Sequence, residues 1–176
     1  MKAYITSIGE PTTELSKWSL ERLGFDVEVI ENQTSLAEKL KYIYNTVTDD
    51  FLRVDADVIV NKNVLELVKT PIYWWVQGQN FDWYKQDIGN GGVQFIRKKA
   101  IPYLKANIDT FMTAERPESQ MFRIDEFNNP RKCITLEKIV CLHGYKQNDI
   151  ERVKQTKARR KQMRYDFELA ERLNSL

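Results

Sequence analysis

Asp55 and Asp57 stand one residue apart, where the apolar run Phe51-Leu52-Arg53-Val54 gives way to Val58-Ile59-Val60. Two carboxylates at the point where a buried strand reaches the surface are hard oxygen donors. They suit a divalent ion, which in turn can bridge the phosphate oxygens of a nucleotide. A D-x-D triplet is common by chance, so its surroundings decide what it means. His143, the sole histidine, follows a second apolar stretch in Leu142-His143-Gly144-Tyr145-Lys146. A lone histidine is more often a structural or solvated side chain than a ligand. Here a neutral imidazole with the two aspartates would complete a mixed nitrogen and oxygen set for Mn²⁺ or Mg²⁺. Lys146 would meet phosphate as a point charge, and Gly144 would let the backbone come close.

These groups need a frame, and the pattern of the first half supplies one. Strand and helix signals alternate, which predicts an α/β layer structure with a mostly parallel central sheet flanked by helices. Ala3 to Ile8 reads as a first strand ending in Gly9-Glu10-Pro11. A helix follows from a Thr12/Thr13 cap through Leu15, Trp18, Leu20 and Leu23 to Gly24. Val27 to Ile30 is a second strand. Ser35 with Glu38 forms a capping box for a helix whose Leu36, Leu40, Ile43 and Val47 mark one face. Phe51 to Val54 is a third strand. A short helix over Asn63 to Val68, a strand over Ile72 to Val76, a turn at Gly89-Asn90-Gly91-Gly92 and a strand over Gly92 to Ile96 come next. Pro117 to Phe127 reads as helix and Ile134 to Leu142 as a last strand. In open α/β sheets ligands sit beyond the carboxyl ends of the strands. Thr6-Ser7, Glu31-Asn32 and Asp55/Asp57 all fall there, and they are expected to share one cleft.

The totals narrow the class. At 176 residues, 42% hydrophobic and 30% charged, the chain fits one soluble globular domain. Cys133 and Cys141 match neither a C-x-x-C pair nor a zinc spacing, so two reduced thiols are expected. No apolar segment of signal-peptide or membrane-span length opens the sequence, and a cytoplasmic protein is expected. The net charge of +2 is unevenly placed. Residues 151–176 hold eight Lys/Arg against four Asp/Glu, and the first 150 hold 19 against 21. This divides the chain into a near-neutral domain over 1–150 and a basic amphipathic C-terminal helix over 151–176.

Taken in order, Asp55-Ala56-Asp57 after a strand, the glycine-rich Gly89 to Gly92, an acidic position at Glu118 and the C-terminal His143-Gly144-Tyr145-Lys146 resemble the GT-A fold glycosyltransferases. The resemblance covers roughly residues 3–146. It implies a single GT-A-like, Rossmann-like domain and a metal-dependent transfer of sugar from a nucleoside-diphosphate sugar, a UDP-sugar first, to a hydroxyl acceptor. On matching positions, Asp57 and His143 would be metal ligands, and Asp55 would contact metal or ribose. Thr6, Ser7 and Glu31 would lie near base and ribose. Lys39 matches a basic position on the helix before the D-x-D, with Gly144 and Lys146 also on the donor side. Gly91, Gly92 and Gln94 would line the donor sugar or acceptor. The chain is short for such enzymes, so a partner subunit or a homodimer would complete the acceptor side.

Cleaving a sugar from a nucleoside diphosphate builds negative charge on the leaving phosphate, which a cation and Lys146 would stabilise. An inverting enzyme also needs a carboxylate base. At that position the chain reads Pro117-Glu118-Ser119-Gln120, with Ser119 where the family has Asp. Glu118 one residue displaced, Asp125 or Glu126 in its stead, or a retaining reaction without such a base are all open. Trp74-Trp75, Phe81, Trp83 and Tyr84 form an aromatic group between the two motifs. Successive strand residues face opposite sides, so one of the paired tryptophans is expected to be buried. Trp75, Trp83 or Tyr84 would be the acceptor contact. Between Arg152 and Arg164 lie seven basic residues and no acidic one. A solvated helix face is the ordinary reading. A surface for nucleic acid or membrane is the sharper one. Two alternatives follow: a glycosyltransferase acting on a hydroxylated base in nucleic acid, and a non-enzymatic nucleic-acid-binding module working through the basic tail.

Overall fold

The computed structural model describes residues 1–31, 35–70, 72–83, 85–109 and 132–145. Its elements are β1 (Lys2–Thr6), α1 (Thr13–Glu21), β2 (Asp26–Ile30), α2 (Leu36–Thr46), β3 (Phe51–Asp55), β4 (Val58–Val60), α3 (Val64–Lys69), β5 (Trp75–Asp82), β6 (Asp87–Ile96), a 3₁₀ turn (Lys98–Ala100), α4 (Ile101–Ala106) and β7 (Cys133–His143). The strands form one seven-stranded sheet in the order β2-β1-β3-β6-β5-β7-β4.

The expected α/β layering is present, but the sheet is mixed and not mostly parallel. β1 runs parallel to β2 and β3, and β5 parallel to β7, whereas β3 with β6, β5 with β6 and β4 with β7 are antiparallel. The reversal enters at β5 and β6, which form a hairpin and not two crossover-linked strands. Asp82 stands opposite Asp87 at its end, and Gln86 has φ 52. The glycines at 89, 91 and 92 therefore lie within β6 and do not make the expected turn. β5 also extends past Val76 to Asp82 on an alternating buried and half-buried pattern whose half-buried positions include Gln77 and Gln79.

A short link fixes the curvature of the sheet. Only Ala56 and Asp57 separate β3 from β4, yet β6, β5 and β7 lie between those strands in the sheet order. Three steps of chain reach about 11 Å, whereas four strand spacings in a flat sheet come to about 19 Å. The sheet must curl until β4 returns beside the end of β3. Gly78 helps β7 pack closely at this bend, since a β-carbon there would stand 2.5 Å from Val140 Cγ1.

Each sheet face has its own core. Ala3, Ile5, Leu52, Val54, Val93 and Phe95 belong to one cluster, with Leu20 of α1 and Val64 and Leu67 of α3. The expected helix α2 forms as read: Ser35 Oγ accepts from Glu38 N–H at 3.2 Å, and Leu40 and Ile43 are buried with Tyr4, Phe51, Trp75 and Ile96. α1 differs from expectation. It buries Thr13, Ser16, Ser19 and Leu20 and leaves Leu15 and Trp18 on the outside. Small side chains let this helix approach β4, and Ser19 Oγ accepts the Val60 N–H at 3.0 Å. Trp18 lies under the Arg22 guanidinium, 4.9 Å from its ring centre. Both cysteines are free, Cys141 being buried. Among the described residues no helix is long and apolar enough to cross a membrane.

Candidate functional site

On the face that carries α2, the side chains change character along the strands. Moving toward the carboxyl ends of β1 and β3, Tyr4 is followed by Thr6, and Phe51 by Arg53 and Asp55. On neighbouring β6 and β5, Ile96 is followed by Gln94, and Trp75 by Gln77. The register sets these as rows, with Arg53 opposite Tyr4 and Gln94, and Gln94 opposite Gln77. An apolar core thus gives way to a polar layer at the sheet edge where the sequence placed its cleft. Thr6 pairs with both Ile30 and Asp55, so the ends of β2, β1 and β3 share that edge. Glu31 follows β2 there and is exposed.

The hydroxyls after β1 divide. Thr6 Oγ1 lies 3.5 Å from Asp55 Oδ1. Ser7 is fully buried and committed to its own turn, 2.9 Å from both Glu10 Oε2 and Thr13 Oγ1, so it shapes the loop. Lys39, in the first turn of α2, is buried to 1% exposure. Trp75 is equally buried among Tyr4, Phe51 and Ile96, and its ring is a core element, while Trp74 is half-buried against Tyr103. One tryptophan of the pair is buried, as the alternation required.

The curl of the sheet gathers Asp55, Asp57 and His143. Val58 pairs with His143 across β4 and β7, and Asp82 pairs with it across β5 and β7. Gly144 N–H donates to the Asp57 carbonyl at 2.9 Å, fixing the start of β4 against the end of β7. His143 Nε2 then lies 3.4 Å from Asp57 Oδ2, and Nδ1 lies 3.3 Å from Asp82 Oδ2. Gly92, at φ 81, completes the enclosure. A β-carbon there would meet Val58 Cγ2 at 2.8 Å, His143 Cδ2 at 3.9 Å and Asp55 Oδ2 at 4.0 Å. Neighbouring Gly91 gives its carbonyl to Asn80 Nδ2 at 3.1 Å. Trp83, whose N–H donates to the His143 carbonyl at 2.9 Å, meets Tyr145 edge-on with ring centres 5.2 Å apart. This aromatic pair flanks the histidine.

Burial by itself would lower the His143 pKa, but the Asp57 charge and the contact with Asp82 outweigh it and hold the imidazole raised, to about 9. Asp82 shows the reverse balance. Burial would raise its pKa, and its contacts with His143 and Lys85 keep it lowered. Burial first, then the Asp55 and Asp57 charges, push the Cys141 thiol up.

Two members of the site were absent from the sequence reading. Arg53 is buried to 1% exposure, with its guanidinium on Asp55, Thr6 and Gln94. A charged residue inside an apolar strand run was the signal for it. Asp82 carries no motif, because its role arises from the register of β5 against β7. Glu118, Asp125, Glu126, Tyr84, Asn32, Lys146, the helix expected over Pro117 to Phe127 and the basic segment 151–176 lie outside the described residues.

Among the described residues, no three His, Cys, Asp or Glu side chains converge into a group that could hold a metal ion unaided. The donor set still has the right chemistry for a hard or borderline divalent ion, with Asp57 and His143 side by side and Asp55 close to them. Such ions keep waters and substrate phosphate oxygens in their coordination shell.

No family model matches the chain, and no curated protein matches its sequence. Solved structures do match. A glycosyltransferase involved in the glycosylation of the major capsid of PBCV-1 aligns with a TM-score of 0.60 at 15% identity, covering 89% of this chain and 98% of that one. A197 from STIV gives 0.59 at 15% identity over 81% and 84% of the two chains. The 4-diphosphocytidyl-2C-methyl-D-erythritol synthase from Anaerococcus prevotii gives 0.53 at 10% identity over 82% and 89%. Likeness at these identities is a likeness of fold, and with the curled mixed sheet and its flanking helices it shows that this chain has the GT-A-like fold of the nucleotide-diphospho-sugar transferases.

Proposed function

We propose that the chain is a metal-dependent glycosyltransferase that moves a sugar from a nucleoside-diphosphate sugar to a hydroxyl acceptor. The observation that carries this reading is the Asp57 and His143 pair, 3.4 Å apart beside Asp55, at the sheet edge where such a fold takes its nucleotide. A bound Mn²⁺ or Mg²⁺ would supply Lewis-acid stabilisation of the leaving diphosphate. Asp57 Oδ2 and His143 Nε2 would hold it. For this, Nε2 would give up its proton, and Asp82, 3.3 Å from Nδ1, would favour the remaining proton there, leaving the lone pair on the side of Asp57. Asp55 turns Oδ2 toward the same space. Gly92 lets β6 press on Val58 beside His143 and Asp55, because a β-carbon there would stand 2.8 Å from Val58 Cγ2. Trp83 and Tyr145 offer an apolar edge beside the donor. Glu118 and Asp125 are the carboxylates to test as acceptor base, and Lys146 as a phosphate contact.

The experiment is a panel of nucleotide sugars, UDP-sugars first, assayed for release of nucleoside diphosphate with Mn²⁺, with Mg²⁺ and with EDTA. The expected result is release that requires the metal and is lost in Asp57→Asn. Donor binding that ignores metal, or that Asp57→Asn leaves intact, overturns the reading. Release of pyrophosphate from a nucleoside triphosphate supplied together with a sugar 1-phosphate, in place of the nucleotide sugar, would point to nucleotidyl transfer on the same scaffold.

A further inference from the structure

Arg53 sits in the middle of β3 with no contact to solvent worth the name, at 1% exposure. Its guanidinium reaches groups on three strands. Nη2 donates to Asp55 Oδ1 and, at 3.3 Å, to Thr6 Oγ1, while Nη1 donates to Gln94 Oε1 at 3.2 Å. Removing a guanidinium from water is costly unless its charge is matched. The carboxylate that matches it here is the one that opens Asp55-Ala56-Asp57. Thr6 lies against the same oxygen, Oδ1. The second oxygen looks elsewhere. Asp55 Oδ2 stands 4.0 Å from where a Gly92 β-carbon would be, and that point is 3.9 Å from His143 Cδ2. One oxygen of Asp55 belongs to the sheet interior, the other to the side of His143.

We propose that Arg53 is a positioning residue that divides the Asp55 carboxylate: it holds Oδ1 and much of the negative charge inside the sheet, so that Asp55 meets a ligand through Oδ2 alone and the cation rests on Asp57 and His143. The proposal rests on the transferase reading and deepens it. A carboxylate shared with a guanidinium is a weaker donor, and the positive charge of Arg53 itself repels a cation bound nearby. The site thereby grips its metal loosely enough to release the metal-bound diphosphate after transfer. A purely structural arginine would have the opposite effect, since its loss would loosen the site and weaken metal binding.

The test uses the full chain with Arg53→Met, Arg53→Lys and Thr6→Val. Mn²⁺ binding is measured by calorimetry without nucleotide, and kcat and KM are measured with the nucleotide sugar that supports turnover. Arg53→Met is expected to bind Mn²⁺ about tenfold tighter, the scale of one short-range charge in a water-like dielectric. Its kcat should fall by about tenfold or more, with KM for the donor changed less. Arg53→Lys should fall between, and Thr6→Val should shift Mn²⁺ affinity the same way by a smaller factor. Unchanged or weaker Mn²⁺ binding in folded Arg53→Met overturns the proposal, and should that variant not fold, the same result in Thr6→Val does so. If the wild type binds no Mn²⁺ even when nucleoside diphosphate is added, the transferase reading fails by itself. The Arg53 proposal is then judged from metal-free crystal structures of the wild type and the variants: Asp55 swinging toward Gly92 in the variants supports it, and an unmoved carboxylate overturns it.

Discussion

His143 and Asp57 face each other across 3.4 Å because β4 and β7 are hydrogen-bonded neighbours, with Val58 set opposite His143. The pairing holds the imidazole on one side while Asp82 holds it on the other, at 3.3 Å. An imidazole with a carboxylate beside each nitrogen is favoured in its charged form, and its ring is held between the two.

Asp82→Asn tests that arrangement without touching Asp57. An asparagine Oδ1 still accepts the Lys85 N–H, the 3.0 Å contact that shapes the hairpin turn. The histidine, however, loses the charge that keeps its proton on Nδ1. Mn²⁺ affinity is expected to fall about 10- to 100-fold, the usual scale for losing an orienting carboxylate. Calorimetric titration of wild type and variant checks it, and equal affinities would show that Asp82 has no part in orienting the ring.

The single histidine makes a pH prediction easy to read. With no metal present, the folded pKa is raised to about 9 against an ordinary value near 6.5. The folded state therefore binds the proton more tightly than the unfolded chain. The stability from this group is fully present below about pH 6.5 and is lost as pH rises to about 9, an effect of up to about 3 kcal/mol. NMR titration of the one histidine ring in EDTA, beside urea unfolding at pH 6 and pH 9, measures both sides. A ring titrating near 6.5 would contradict the Asp57 and Asp82 pairing.

Gly92→Ala is expected to destabilise the fold by about 1–2 kcal/mol through its left-handed backbone alone. The new β-carbon, 2.8 Å from Val58 Cγ2, adds a clash. Because Val58 begins the strand that follows Asp57, relief of that clash shifts the aspartate. Urea unfolding should show the loss, and Mn²⁺ binding should weaken with it. A variant as stable as the wild type would mean that β6 does not press on β4.

The two tryptophans nearest the site separate cleanly. Trp75→Ala removes a ring from the core beside Phe51 and Ile96 and should cost about 3 kcal/mol or more. Trp83→Ala, at a half-buried position against Tyr145, should leave the fold nearly as stable while reducing turnover. Thermal melts and kcat/KM for both variants check the contrast. The reverse pattern would return Trp75 to the role of acceptor contact.

Much of this arrangement was legible in the sequence where a local rule governs it. Ser35 caps α2 because a hydroxyl three residues before Glu38 can reach its N–H, and Leu40 and Ile43 lie one turn apart on its buried face. The sharing of one edge by Thr6, Glu31 and Asp55 follows from parallel strands joined by helices. What depends on register was not legible. The partner of His143 could be named only once β5 lay beside β7 with Asp82 at the matching position. The reversed direction of β6 moved Gly89 to Gly92 from a turn into a strand. Arg53 looked like an interruption of an apolar run, since nothing in Phe51-Leu52-Arg53-Val54 says that Thr6, Asp55 and Gln94 will surround it. α1 misled for a related reason: in a tight helix-to-sheet contact, Ser16 and Ser19 fit where Leu15 and Trp18 would not.

The two residues between β3 and β4 tie the site to closure of the whole sheet. Asp55 is placed by the pairing of β3 with β1, whereas Asp57 has its neighbour only where β7, far later in the chain, lies against both β5 and β4. The two carboxylates therefore depend on different parts of the chain, one on β1 and the other on β7. Any ligand that needs Asp57 and His143 together selects molecules in which the whole curl is shut. Occupancy of the site would then report on completion of the fold, and one residue inserted at Ala56 would strike both at once.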